Sequence, residues 1–258
     1  MARKFVVSIS GKGGTGKTTL TALLLKWLIK NTEEIPLVVD ADPSTNLPDV
    51  LGLELSRTVG QTSKELKDKI EAGALSPSLS KSDILEGNVF QTLVEEERFD
   101  LLAMGRSEGE GCYCFVNNIL TRILDTLTKN YTVTLLDMEA GLEHLSRRTD
   151  RDVDAMIVVT DPSKMGFETA RRVKELVEEV HIDVKDIYLV GNRFPPEMED
   201  VLQENADEIG MTYGGLLPVD QNVMSFNLTG KPLLDLPEDS PAFKAVELIA
   251  LKIGLSGL

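Results

Sequence analysis

Two lysines share one glycine-rich stretch, Ser10-Gly11-Lys12-Gly13-Gly14-Thr15-Gly16-Lys17-Thr18-Thr19, which follows directly on the apolar run Phe5-Val6-Val7-Ser8-Ile9. Gly11 to Thr18 fits the pattern G-x-x-x-x-G-K-[ST]. In that pattern glycines let successive backbone N–H groups converge on phosphate oxygens while a lysine meets the outer phosphates. A strand before the loop and a helix after it add the partial positive charge of a helix N-terminus. Lys17 is the phosphate lysine in this reading, and Thr18 offers its hydroxyl to Mg²⁺. The pattern leaves Lys12 without a role.

Two acidic motifs close apolar runs further along: Val38-Val39-Asp40-Ala41-Asp42-Pro43 and Leu135-Leu136-Asp137-Met138-Glu139-Ala140-Gly141. Ligands of open parallel sheets bind at the carboxyl ends of the strands, so these acids fall where a phosphate loop needs them. An aspartate closing a strand beside such a loop is the usual partner of Mg²⁺, which makes Asp137 the expected metal-side carboxylate. Strand-end carboxylates also serve as ordinary helix N-caps, and Asp40 suits that role as well as a functional one.

The runs FVVSI, PLVVD, FDLLAM, VTLLD, AMIVV and IYLVG recur along the chain, each followed by a polar or glycine turn and a segment with helical spacing. Continuous Val/Ile/Leu runs of this kind are strands buried on both faces, so the fold class is α/β, a mostly parallel central sheet with helices on both sides. Helices are expected to start near Lys17, Cys114, Gly166 and Pro196. The first presents Leu20, Leu23, Leu24, Trp27 and Leu28 on one face. Residues 56–97 are more polar and read as an insertion carrying one or two helices, KELKDKIEAG being the clearest. No repeat or shift in composition divides the 258 residues, which read as a single domain, 1–258.

The loop and the acidic motifs together resemble the deviant Walker-A ATPases, the family of the nitrogenase iron protein and the Min and Par positioning ATPases. Its K-G-G-x-G-K-[ST] signature is matched by Lys12 to Thr18. The resemblance supplies a role for Lys12, which would reach across a nucleotide-sandwich homodimer to the partner's phosphates, as an arginine finger does. It implies ATP and ADP as ligands with Mg²⁺, and an ATP-hydrolysing enzyme in which Lys12 and Asp42 are catalytic, Asp42 orienting the attacking water. The nucleotide contacts it implies run through Gly11, Lys12, Gly13, Gly14, Thr15, Gly16, Lys17, Thr18 and Thr19, with Gly141 sensing the γ-phosphate. Asn192 and Arg193, in the strand-end triplet Gly191-Asn192-Arg193, and Pro218, Val219 and Asp220, in the loop Leu217 to Val223, are the implied base contacts. Adenine is favoured over guanine, since no N-K-x-D signature occurs.

Cys112 and Cys114 are the two cysteines, one residue apart between Gly111 and Phe115. Two thiolates are too few for a closed soft-metal site, but a two-fold dimer would bring four together. With the deviant loop, DADP and DMEAG, the pair makes the chain similar to the CooC-type nickel-insertion ATPases of carbon monoxide dehydrogenase. That implies Ni²⁺ or Zn²⁺ at Cys112 and Cys114, a carbon monoxide dehydrogenase client, and delivery of nickel to its cluster. The alternative reading is a nucleotide-switched scaffold or positioning ATPase without metal delivery. A small pair of buried thiols is the plain reading of the cysteines. His144 reads as a helical residue, His181 as a loop residue and Trp27 as core.

The net charge of −15 argues against a surface that grips nucleic acid or anionic lipid non-specifically through clustered cations, and leaves room only for a local basic site. Asp235 to Leu258 carries four acids against two lysines, unlike a basic membrane-binding tail. No apolar run approaches the roughly 20 residues that span a bilayer. With no disulfide framework available, the expected location is the cytoplasm.

Overall fold

Strands with apolar side chains on both faces need a layer of helices on each side, and the chain builds that arrangement. The computed structural model describes residues 4–72, 87, 90–106, 127, 130–139, 153–179 and 183–257. Eight strands form one sheet: β1 (Phe5–Gly11), β2 (Leu37–Asp40), β3 (Val94–Glu95), β4 (Asp100–Ala103), β5 (Val133–Asp137), β6 (Val153–Thr160), β7 (Val184–Asn192) and β8 (Thr212–Leu217). Their order is β3-β4-β2-β5-β1-β6-β7-β8. Every pairing is parallel except that of the short edge strand β3 with β4.

The helices among the described residues are α1 (Lys17–Asn31), α2 (Leu47–Leu51), α3 (Val59–Glu71), α4 (Lys164–Glu179), α5 (Glu199–Ile209), α6 (Gln221–Thr229) and α7 (Pro241–Lys252). Helices α1 and α7 cover one face of the sheet over Val7, Ile9, Ile157 and Val190. Helices α4 and α5 cover the other, over Met156, Val158 and Leu189. All five apolar positions expected on the first helix, Leu20, Leu23, Leu24, Trp27 and Leu28, are buried. Each leucine among them contributes about 1.5–3 kcal/mol through the apolar area it removes from water.

The expected starts at Gly166 and Pro196 fall within a turn of α4, which begins at Lys164, and of α5, which a single 3₁₀ turn at Pro196–Met198 introduces. The start expected near Cys114 lies outside the described residues. Within the polar stretch 56–97, α3 opens on a reciprocal cap. Gln61 N–H donates to Thr58 Oγ1 at 3.3 Å, and Thr58 N–H donates to Gln61 Oε1 at 3.0 Å. The Gly60 N–H donates to Met104 O at 2.8 Å, fastening α3 to the end of β4. Among the described residues no helix is long and apolar enough to cross a membrane.

Candidate functional site

The loop between β1 and α1 is fixed by register and by the absence of side chains. Parallel pairing sets Gly11 beside Val159, and a Cβ on Gly11 would stand 2.2 Å from Val159 O. Gly14 and Gly16 adopt φ of 78° and 96°, a region that glycine enters without strain. Inside the loop the Lys12 carbonyl acts as a hub. It accepts from Thr15 N–H at 3.3 Å, Thr15 Oγ1 at 2.8 Å and Lys17 Nζ at 3.4 Å. Lys17 is buried, 7% exposed, so its charge sits in the concavity and calls for an anion there. The N-terminus of α1 carries no side-chain cap and no acid in its first turn, leaving its N–H groups for a ligand.

Opposite the loop lie the strand-end acids. Asp40 and Asp137 are directly paired across β2 and β5, and both are almost fully buried. Asp40 is bonded: its Oδ1 accepts from Asp42 N–H at 3.1 Å and its Oδ2 from Leu47 N–H at 3.0 Å, tying β2 to the start of α2. Burial nevertheless pushes its carboxyl up to about 7, with the Asp137 charge adding to the shift. Asp137 differs in one respect. Neither of its oxygens finds a hydrogen-bond partner among the described residues. Burial raises it to about 6, while the Thr18 side chain and the Lys17 charge act the other way without supplying a bonded partner. An unpartnered buried carboxylate beside a threonine hydroxyl is a donor set with oxygen ligands and net negative charge, which suits a hard divalent cation such as Mg²⁺. Asp42 is half-exposed, and its Oδ1 accepts from Ser44 N–H at 2.8 Å in a turn that holds the carboxylate in one orientation.

On the far side of the loop, the ends of β7 and β8 form a cleft of about 290 Å³. It is lined by Gly14, Gly16, Asn192, Arg193, Pro218 and Val219, among others, so the residues expected to meet a base stand around one space with part of the phosphate loop. Asn192 Nδ2 donates to Thr15 O at 2.7 Å, and a Cβ on Gly16 would approach that same nitrogen to 2.1 Å. Arg193, one of two non-glycine residues with positive φ among the described residues (60°), donates through Nη2 to Gly14 O at 2.5 Å. Asp220 is committed to protein partners. It caps α6 by accepting from Asn222 N–H at 2.8 Å, and its Oδ2 accepts from Ala242 N–H at 2.9 Å and from the Ser240 hydroxyl. Burial alone would raise its carboxyl, but these donors outweigh that and hold it below the usual range. The stretch expected as a loop over the base is thus, from Gln221 onward, the first turn of α6.

Gly141, Cys112, Cys114, His144 and His181 lie outside the described residues. Among the described residues no group of three or more His, Cys, Asp or Glu side chains is arranged to hold a metal ion. One residue of the site is not singled out by the sequence motifs: Asp161, whose Oδ2 lies 3.6 Å from Lys12 Nζ. It directly follows the run AMIVVT and so carries the same signal, an acid at a strand end, that distinguishes Asp40 and Asp137.

A family model for the CobQ/CobB/MinD/ParA nucleotide-binding domain matches residues 6–233. The chain belongs to this family. An uncharacterized ATP-binding protein of Methanocaldococcus jannaschii is 49% identical over 248 residues, 96% of this chain and 98% of its own. The carbon monoxide dehydrogenase accessory protein CooC of Rhodospirillum rubrum is 28% identical over 252 residues, 92% of this chain and 90% of its own. In fold, the CobQ/CobB/MinD/ParA-type chain resembles the septum site-determining protein MinD of Pyrococcus horikoshii, solved with Mg-ADP. The TM-score is 0.68 at 22% identity, with 98% of each chain covered. The mostly parallel α/β fold expected from the apolar runs, found with eight strands, is therefore that of the MinD-type nucleotide-binding proteins.

Proposed function

We propose that the chain is a single Mg²⁺-dependent ATPase domain, 1–258 with an insertion at about 56–97. In this reading it dimerises around ATP and couples hydrolysis to delivery of nickel, or zinc, to carbon monoxide dehydrogenase. The observation that carries the nucleotide part is the buried lysine Lys17, whose charge acts on the Asp137 carboxylate, itself without a hydrogen-bond partner among the described residues, beside an uncapped helix N-terminus. Backbone N–H groups of Gly13 to Thr18 cradle the phosphates, Lys17 neutralises the outer two, and the cleft at Asn192 and Pro218 takes the adenine. Thr18 and Asp137 would hold Mg²⁺, which would supply positive charge to offset that of the phosphates. Asp42, held by the Ser44 N–H, accepts a hydrogen bond from the attacking water. Water adds to the γ-phosphorus as the bond to the β,γ-bridging oxygen breaks, yielding ADP and phosphate. Lys12 of each copy stabilises charge on the phosphates bound by the other copy.

The delivery half rests on Cys112 and Cys114 and on likeness to CooC over 92% of the chain. Nickel is the cargo, held by four thiolates of a dimer and passed to the client. The fold's likeness to MinD proteins supports the nucleotide switch that this reading shares with a positioning ATPase. Equilibrium dialysis of the purified chain against Ni²⁺ and Zn²⁺, with and without ATP, separates the two readings. One metal ion per dimer, lost in Cys112→Ala, is the expected result. Mg²⁺-dependent ATPase activity with no thiolate-bound metal would leave the switch and remove the delivery.

A further inference from the structure

The two loop lysines leave the same loop in different directions. Lys17 is buried and turned inward onto the Lys12 carbonyl, at 3.4 Å. The Lys12 ammonium lies instead 3.6 Å from Asp161 Oδ2, with 32% of the lysine side chain and 23% of the aspartate side chain exposed. Register produces the meeting. Gly11 at the end of β1 is paired with Val159 near the end of β6, so the residues that follow leave the sheet side by side.

Asp161 is itself held in place. Its Oδ1 accepts from the Ser163 hydroxyl, and its carbonyl accepts from the Ser163 N–H at 2.7 Å. Gly166 completes the support by having no side chain, since a Cβ there would lie 2.5 Å from Oδ1. With Oδ1 occupied and the backbone fixed, Oδ2 is the oxygen presented to Lys12. A lysine on a flexible four-carbon stem is thereby given one direction by a partner that cannot easily turn away. Both groups keep contact with water, so the pair is weak enough to exchange.

We propose that Asp161 is a positioning residue for Lys12. In the single chain it holds the ammonium at the end of β6, and it gives the lysine up to the phosphates of a second copy when an ATP-bound dimer forms. The inference rests on the sandwich role of Lys12 stated above. Without Asp161, the dimer would form without the cost of breaking two such pairs. The latch therefore opposes premature dimerisation, and its contribution is doubled by symmetry.

Sedimentation analysis of the full chain with Mg²⁺ and the slowly hydrolysed analogue ATPγS tests this. Each exposed pair of this kind accounts for a factor of about 1.4 to 5, so Asp161→Asn should tighten the dimer by about 2- to 30-fold over two sites. The gain should shrink in 0.5 M salt, as expected for screened charges. It should vanish in a Lys12→Ala background, because Asp161 acts only through that lysine. Asp161→Glu keeps the charge and should stay within about twofold of the parent. If Asp161→Asn folds poorly, Ser163→Ala, which loosens the carboxylate, should shift the dimer in the same direction by less. Unchanged or weaker dimerisation in Asp161→Asn, or a gain that persists without Lys12, would overturn the latch. If Lys12→Ala alone dimerises with ATPγS as the parent does, the failure belongs to the sandwich role and not to Asp161.

Discussion

Asp137 is where the fold and the proposed chemistry pull against each other, and replacing it with asparagine should separate them. The carboxyl is 1% exposed, has no hydrogen-bond partner among the described residues, and titrates at about 6 instead of 3.8. Because the native chain binds this proton more tightly than the unfolded chain, unfolding releases protons between about pH 4 and pH 6. Stability from this group is thus complete below about pH 4 and falls as pH rises through about 6. The gap between 3.8 and about 6 corresponds to an upper figure of about 3 kcal/mol once the carboxylate is fully ionised. An amide at the same place carries no charge but leaves buried N–H groups unmet, at a cost of about 1–2 kcal/mol. Asp137→Asn should therefore stabilise the nucleotide-free chain at pH 8 by about 1–2 kcal/mol, a rise in Tm of roughly 2–8 °C for a chain of this size. The gain should disappear towards pH 5. In the same variant, titration calorimetry should show Mg²⁺-dependent binding of ADP lost. Calorimetric melts at pH 5 and pH 8 decide the matter: a variant no more stable than the parent at pH 8, or a difference that does not change with pH, would refute the reasoning.

Lys17→Ala should abolish ATP binding, measured by fluorescence with a labelled nucleotide, since the buried charge that faces the phosphates is gone. Gly16→Ala forces a Cβ to within 2.1 Å of Asn192 Nδ2 at a φ of 96°, and should cost at least about tenfold in ADP affinity by the same assay. Asp220→Ala removes the cap of α6 and the acceptor for the start of α7, and chemical denaturation should report a loss of about 2–3 kcal/mol. Replacing Cys112 and Cys114 with serine should abolish Ni²⁺ and Zn²⁺ binding while ATP hydrolysis continues. In the parent chain, metal affinity should differ between the ADP- and ATP-bound states by about 5- to 150-fold, as reciprocal coupling of two sites requires.

The strands legible in the sequence are those rich in consecutive Val, Ile and Leu, because a strand buried on both faces carries few polar positions to obscure it, the buried Ser8 and Thr134 being small exceptions. β8 carries Tyr213, Gly214 and Gly215 in place of such a run, and it bulges against β7 between Leu189 and Val190. Its identity comes from the neighbour it pairs with, which no local pattern records. α6 is equally hidden: none of its residues is fully buried, so Gln221-Asn222-Val223-Met224 shows no apolar stripe and reads as a loop. Within the site, the phosphate loop and the acids Asp40, Asp42 and Asp137 are readable because each motif is contiguous in sequence. The pairing of Lys12 with Asp161 depends on the register of β1 against β6, and the commitment of Asp220 to protein donors depends on where Ser240 and Ala242 fold back. Both are long-range facts.

The carboxylate of Asp220 joins two helices that are separated in the chain's order, the start of α6 at the rim of the base cleft and the start of α7 near the C-terminal end. Local unfolding of α7 would strand a buried carboxylate, so it cannot fray without loosening the cleft, and the two should open as one cooperative unit. Of the residues of α7, Ala242 alone lines the cleft. Binding of a base between Asn192 and Pro218 would nonetheless slow amide exchange along the whole helix, out to Lys252. A helix that meets the ligand at one end only becomes, through one side chain, part of the structure that ligand stabilises.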